Sequence, residues 1–272
     1  ILYQHEFERD MGPNKFIAVM VLLVCANLTG CLSEDVDKTD VELVVDYDKN
    51  NGTIVESYSD GQLVSTNLVS INFDFSKTTS SSKLVTFGID LMDNTSAITV
   101  DAKSNSNVVV DFSNHGLYQV NAFVIDEDGY QKDTTIEVRI DLRIEWIESD
   151  TNNPTTLIFD PNPSNGGENP IMIEVYSVVE NPSLIEDIGG GQSVQISWSI
   201  IDEHNDVCQK KSTQLGDGES DYWNTIHFNT YQVHELMISY DDGQDFININ
   251  PICKYPILTD WVNVDEILTI II

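Results

Sequence analysis

The chain has 272 residues, of which 45 are Asp or Glu and 13 are Lys or Arg, giving a net charge of −32. A surface this negative repels phosphate backbones and anionic headgroups, which excludes nucleic-acid binding and leaves solubility or divalent-cation binding as its use. The 4 cysteines form no C-x-x-C pair and no Cys/His ligand spacing, so a zinc site is not expected.

In residues 1–10, Glu6, Glu8 and Asp10 outweigh Arg9, the wrong sign for a segment ahead of an export signal. Translation is therefore expected to start at Met11, with residues 1–10 a gene-start artefact; a genuine acidic leader is the alternative. The apolar run from Phe16 to Leu28 suits a signal-peptide core and falls short of the roughly 20 residues that span a bilayer. It ends in Leu28-Thr29-Gly30-Cys31, which resembles the lipobox of prokaryotic lipoproteins. That resemblance implies cleavage before Cys31, a lipid on its thiol, and an exported protein anchored to the outer face of the cell membrane. Residues 11–30 are then the signal peptide and 31–40 a polar tether. The mature chain keeps 11 basic and 42 acidic residues, a net charge of about −31. Cys25 leaves with the signal and Cys31 takes the lipid. Cys208 and Cys253 remain, outside the reducing cytosol, and a disulfide between them is expected; two free buried thiols are the alternative.

From Val41 onward, strand-length alternation is broken by turn residues at intervals of about ten positions, with no sustained helical period. The fold class is therefore all-β, two tandem Ig-like β-sandwich domains at 41–142 and 143–272. In the first, strands are expected at Val41–Tyr47, Thr53–Tyr58, Leu68–Phe75, Lys83–Met92, Ala97–Val100, Val108–Phe112, Leu117–Asp126 and Thr134–Trp146. Asn51-Gly52, Asp60-Gly61 and Asp128-Gly129 read as turns. Gly116-Leu117-Tyr118-Gln119-Val120 followed by Asp126-Glu127-Asp128-Gly129 resembles the end of a PKD domain. Ile71-Asn72-Phe73-Asp74-Phe75-Ser76 and Ile89-Asp90-Leu91-Met92-Asp93-Asn94 match its upstream motifs. The resemblance covers about residues 60 to 143. Ile89 replaces the family's Trp, and Met92 and Asn94 replace glycines, so the loop there need not keep the family's turn. Tyr118 fits a tyrosine corner, its hydroxyl bonding back to nearby backbone.

Ile136, Val138, Ile140, Leu142, Ile144 and Trp146 alternate with charged residues, which predicts one unbroken strand carrying the first module into the second, with a stiff junction near Asp141 to Arg143; a bend there with a flexible linker is the alternative. Strands follow at Ile171–Val179, Gln192–Ile201, Tyr222–Phe228, Glu235–Tyr240, Phe246–Ile249 and Glu266–Ile272. Trp198 is expected to plug the second core. It precedes both cysteines, so the antibody-type pattern fails.

No phosphate loop, zinc-protease helix or nucleophile elbow is present; His234-Glu235 lacks the second His, with Ile238 in its place. Calcium is the one cofactor with support: Asp46, Asp48 and Asn50 offer oxygens at alternate positions, although the following Gly is one place late for an EF-hand and a hairpin with an Asn-Gly turn is the favoured reading of the segment. Asn51-Gly52-Thr53 and Asn94-Thr95-Ser96 are glycosylation sequons. These features describe a non-enzymatic, lipid-anchored surface protein that contacts protein or carbohydrate, or acts as a spacer. An accessory part of a larger exported protease or glycoside hydrolase, with its catalytic domain beyond Ile272, and a calcium-dependent adhesin are the alternatives.

Overall fold

The computed structural model describes residues 40–163, 165–183 and 190–257, and the chain divides into Ile1–Asp40 and Val41–Ile272. The lipobox at 28–31 and the strand expected at Glu266–Ile272 lie outside the described residues. The described chain forms β1 (Asp46–Tyr47), β2 (Asn51–Ser59), β3 (Gln62–Asn67), β4 (Val69–Asp74), β5 (Leu84–Asp90), β6 (Ile98–Asp101), β7 (Asn107–Phe112) and β8 (Gly116–Asp126). It continues with β9 (Gln131–Thr151), β10 (Leu157–Phe159), β11 (Ile173–Glu180), β12 (Val194–Asp202), β13 (Val207–Leu215), β14 (Ser220–His227), β15 (His234–Asp242) and β16 (Ile247–Tyr255). The fold is all-β.

A nine-stranded sheet, ordered β14-β11-β16-β9-β8-β5-β6 with β2 and β3 attached at β9, forms one layer of both sandwiches. The sheet β1-β4-β7 covers its first half and the sheet β10-β15-β12-β13 its second. In the first sandwich, Phe73, Phe75, Val110 and Phe112 pack with Phe87, Tyr118, Val120 and Val138; the Phe75 and Phe87 rings stack at 4.9 Å. In the second, Ile196, Trp198, Ile200 and Leu236 meet Val175, Val179, Ile249 and Tyr255.

Strand β9 joins the two. Its 21 residues keep Ile136, Val138, Ile140, Leu142, Ile144 and Trp146 buried, the constant inner face that strict alternation dictates. β8 pairs with Gln131–Ile140, β16 with Leu142–Thr151, and β2 runs parallel along Arg139–Ile147. One strand edge takes one partner at a time, and β2 overlaps both others. β8 and β16 therefore follow each other along one edge, and β2 holds the opposite edge as a splint across the change of partner at Asp141. There the Asp141 carboxylate accepts the Ile257 amide at 2.9 Å.

Two expectations, on Asn51-Gly52 and on the cysteine pair, are corrected, and a third, on the loop after Ile89, is filled in. Asn51-Gly52 is no hairpin turn: β1 pairs with β4 and β2 with β9, so the chain crosses between sheets before Asn51. Gly52 serves a close approach, since a Cβ there would lie 2.5 Å from a Val69 methyl. Second, Met92 and Asn94 adopt the left-handed conformation a glycine would favour, with φ of 57° and 68°. Turns in which the Asp90 and Asp93 carboxylates accept the amides of Met92 (2.8 Å) and Thr95 (3.0 Å) hold them there. Third, Cys208 and Cys253 are free thiols and form no disulfide. Cys208 is exposed on the edge strand β13 of one sheet, whereas Cys253 is buried in β16, an interior strand of the opposing sheet. Burial pushes the Cys253 thiol up to about 12.

Candidate functional site

The outer face of the shared sheet in its second half is built by alternation. In β11 the inward residues Val175, Ser177 and Val179 are buried, which turns Glu174, Tyr176, Val178 and Glu180 outward. The same rule turns out Tyr222 and Asn224 on β14, Asn248, Asn250, Ile252 and Lys254 on β16, and Arg143, Glu145 and Ile147 on β9. Register sets them in rows. Asn224, Tyr176, Ile252 and Glu145 stand side by side on successive strands, and so do Tyr222, Val178 and Asn250.

At the β14 edge of this face, the Tyr176 and Tyr222 rings lie with centroids 6.1 Å apart, inclined by 30°, and are 44% and 59% exposed. Lys211 reaches over from β13, its Nζ 2.9 Å from Asp221 and 5.6 Å from the centre of the Tyr222 ring. Two depressions lie farther in, over β11, β16 and β9. One, of about 290 Å³, is bordered by Thr53, Val55, Arg143, Glu174 and Lys254. The other, of about 280 Å³, is bordered by Ile147, Ser149, Val178, Glu180, Asn248 and Asn250. From Lys254 to Asn248 along β16 the face extends about 20 Å at ordinary strand rise. Arg143 and Glu145 pair at 2.5 Å on its floor. Exposed rings offer flat apolar faces, and the amides and carboxylates around them can exchange hydrogen bonds with hydroxyl groups.

The residues expected from sequence fall elsewhere. Asp46 pairs with Lys77 at 2.7 Å, the Asp48 carboxylate accepts the Asn72 amide at 3.1 Å, and the Asn50 side chain accepts from Asn51 at 3.3 Å. These oxygens serve separate partners. The Tyr118 hydroxyl donates to the Asn114 carbonyl at 2.9 Å, and burial pushes its pKa up to about 12. Trp198 is fully buried, and its indole N–H donates to the Ser177 hydroxyl of the opposing sheet at 2.9 Å. Sequence spacing also missed a convergence that the fold creates: Cys208, His227 and His234 come together although no motif links them. Tyr176 and Tyr222 went unremarked because their pairing depends on the β11–β14 register; the signal available was an aromatic at an outward position of each strand.

No family model matches the chain, and no curated protein matches it. Among solved structures it is similar to carbohydrate-binding modules of the β-sandwich superfamily, at 11% identity and a TM-score of 0.30, over 84% of this chain and 100% of that one. It is also similar to fibronectin(III)-like modules of Clostridium thermocellum CbhA, at 13% identity and a TM-score of 0.24, over 64% and 94% of the two chains. A third is a Bacteroides uniformis β-glucuronidase, at 10% identity and a TM-score of 0.26, over 80% and 30%. At these values the likeness carries no argument about function.

Proposed function

We propose that this is a non-enzymatic binding protein, exported and held at the outer face of the membrane by a lipid on Cys31, whose open sheet face takes a neutral polysaccharide chain. The exposed Tyr176–Tyr222 pair carries the reading. Sugar rings present C–H faces that stack on such aromatics, and the flanking Asn224, Asn248 and Asn250 can bond their hydroxyls. The acidic surface disfavours anionic polymers.

Affinity electrophoresis of the wild type in gels containing neutral polysaccharides tests this. Retardation by at least one of them is expected, with Tyr176→Ala and Tyr222→Ala each weakening it about five- to tenfold, the equivalent of roughly 1 kcal/mol per ring. A wild type that runs unretarded with every neutral polysaccharide, or tyrosine variants that bind as well as it does, would refute the assignment. For the anchor, Cys31→Ser should move the protein from the membrane to the soluble fraction, and continued retention would refute a lipid there.

A spacer role is favoured by β9: its 21 residues extend roughly 70 Å if regular, splinted by β2 where its partners change. Such a strand suits holding a binding face away from the membrane.

A further inference from the structure

At the end of the second sandwich where β14 finishes and β15 begins, a second constellation points into the molecule, on the opposite side of the sheet from the tyrosine face. Cys208 is the extra residue of a β-bulge: Ile200 and Ile201 of β12 pair with Gln209 and Val207, leaving Cys208 unopposed. His227 closes β14 and His234 opens β15. The two rings approach from opposing sheets and meet edge to face, with centroids 4.5 Å apart and Nε2 to Nε2 at 2.9 Å. One ligand atom from each of Cys208, His227 and His234 lies within 4.8 Å of the others; among the described residues this is the one such convergence of three His, Cys, Asp or Glu side chains.

The imidazoles are already oriented. His234 is fully buried, stacked on Phe159 at 5.7 Å, and its Nδ1 lies 2.8 Å from the Gln232 carbonyl. A carbonyl only accepts, so Nδ1 carries the proton and Nε2 presents its lone pair to the cluster. This is the outer-shell arrangement that fixes a ligating histidine.

We propose that Cys208, His227 and His234 form a mononuclear site for Zn²⁺ or a transition-metal ion of the same thiolate- and imidazole-preferring class, with the fourth position open to water on the exposed side of Cys208. Nitrogen and sulfur donors of this kind suit zinc, cobalt or copper and not calcium or magnesium. Two imidazole nitrogens on a tetrahedral ion stand about 3.3 Å apart, so the rings need to part by only a few tenths of an ångström. On binding, the Cys208 S–H bond ionises and its proton leaves to solvent, while His227 moves its proton from Nε2 to Nδ1. Asp202 and Asp206, beside Cys208, add negative charge near the incoming cation. A bound ion would tie β13 and β15 to β14 across the sandwich.

The test uses the full chain, reduced and stripped by chelator, in a Cys25→Ser/Cys31→Ser background so that the two N-terminal thiols do not contribute. Titration with Co²⁺ should give one ion per chain, with the intense visible bands of tetrahedral cobalt and a thiolate-to-cobalt charge-transfer band; Zn²⁺ should displace it and raise the Tm. Cys208→Ser should abolish the charge-transfer band and weaken binding more than about tenfold, while Cys253→Ser leaves both intact. Cys208 is exposed, so its variant is expected to fold, which circular dichroism checks; His227→Gln is a second variant with the same expected loss. No Co²⁺ binding, binding without the charge-transfer band, or unchanged binding in Cys208→Ser would each overturn the site.

Discussion

Gly88 of β5 stands directly opposite Phe123 of β8, and the phenyl ring lies over the glycine so closely that a Cβ would sit 2.2 Å from its Cζ. The contact explains why Phe123, on the face of β8 opposite Val120, Ala122 and Val124, is nevertheless only 8% exposed. The ring covers the glycine's bare backbone. Gly88→Ala should therefore cost about 1–3 kcal/mol through overpacking, read from urea denaturation. Phe123→Leu in the same chain should recover part of that loss, because a shorter side chain leaves room for the methyl group. Additive losses in the double variant would disprove the proposed clash.

The left-handed Met92 gives the opposite sign. A non-glycine residue in this conformation costs about 1–2 kcal/mol, while glycine loses roughly 0.5–1 kcal/mol more backbone entropy on folding. Met92 is 63% exposed, so little packing is lost with its side chain. Met92→Gly should raise stability by about 0.5–1 kcal/mol, whereas Met92→Val, β-branched, should lower it. Thermal melts of both variants check the pair, and a destabilised Met92→Gly would show that the side chain contributes more than its exposure suggests.

The strands that sequence reveals and those it conceals differ in burial. β4, β7, β8 as far as Ala122 and the middle of β9 alternate strictly because one face is sealed in a core. The missed strands β3, β10 and β13 all lie at sheet edges. Every residue of β3 is exposed, β10 has three residues, and β13 places one buried residue, Leu215, at its end. Edge strands held mainly by backbone pairing leave little hydrophobic period to read. With β13 unseen, Cys208 had no neighbours, so its approach to His227 and His234 could not be foreseen. Tyr118 and Trp198 were legible for the converse reason: each occupies the inner face of a strongly alternating strand.

Asp141, where β9 exchanges β8 for β16, predicts a pH dependence. Burial raises its carboxyl pKa above the ordinary 3.8, with the Ile257 amide, Arg139 and His115 opposing the shift only in part. The folded chain therefore takes up this proton at a higher pH than the unfolded chain does. The residue's contribution to stability grows as pH falls from the raised value to 3.8 and is level below it. At neutral pH the charged carboxylate is a cost. Asp141→Asn retains an oxygen for the Ile257 amide without the charge, so it should be more stable than the wild type at neutral pH. Their difference should shrink as pH falls through that window. Urea midpoints measured in parallel cancel the other carboxylates, and a difference independent of pH would contradict the assignment to Asp141.

The splint itself can be loosened at Tyr58. This residue of β2 lies opposite Trp146 of β9, and the rings stack at 5.3 Å with an 18° inclination. Trp146 lies beyond the change of partner at Asp141, so the stack secures the part of β2 that extends past the junction. Tyr58→Ala should cost about 1.5–3 kcal/mol, combining lost burial with the aromatic pair. Tyr58→Phe keeps the stack, losing only the hydroxyl's bond to Glu56 at 3.0 Å, and should stay within about 1 kcal/mol of the wild type. Position along β9 separates this from general destabilisation. In Tyr58→Ala, amide exchange should accelerate most for residues 142–147, and least for residues 131–138, which pair with β8 outside the reach of β2. Uniform acceleration along β9 would mean that the stack supports the whole sandwich and not the junction, and that the coupling between its halves resides in the strand alone.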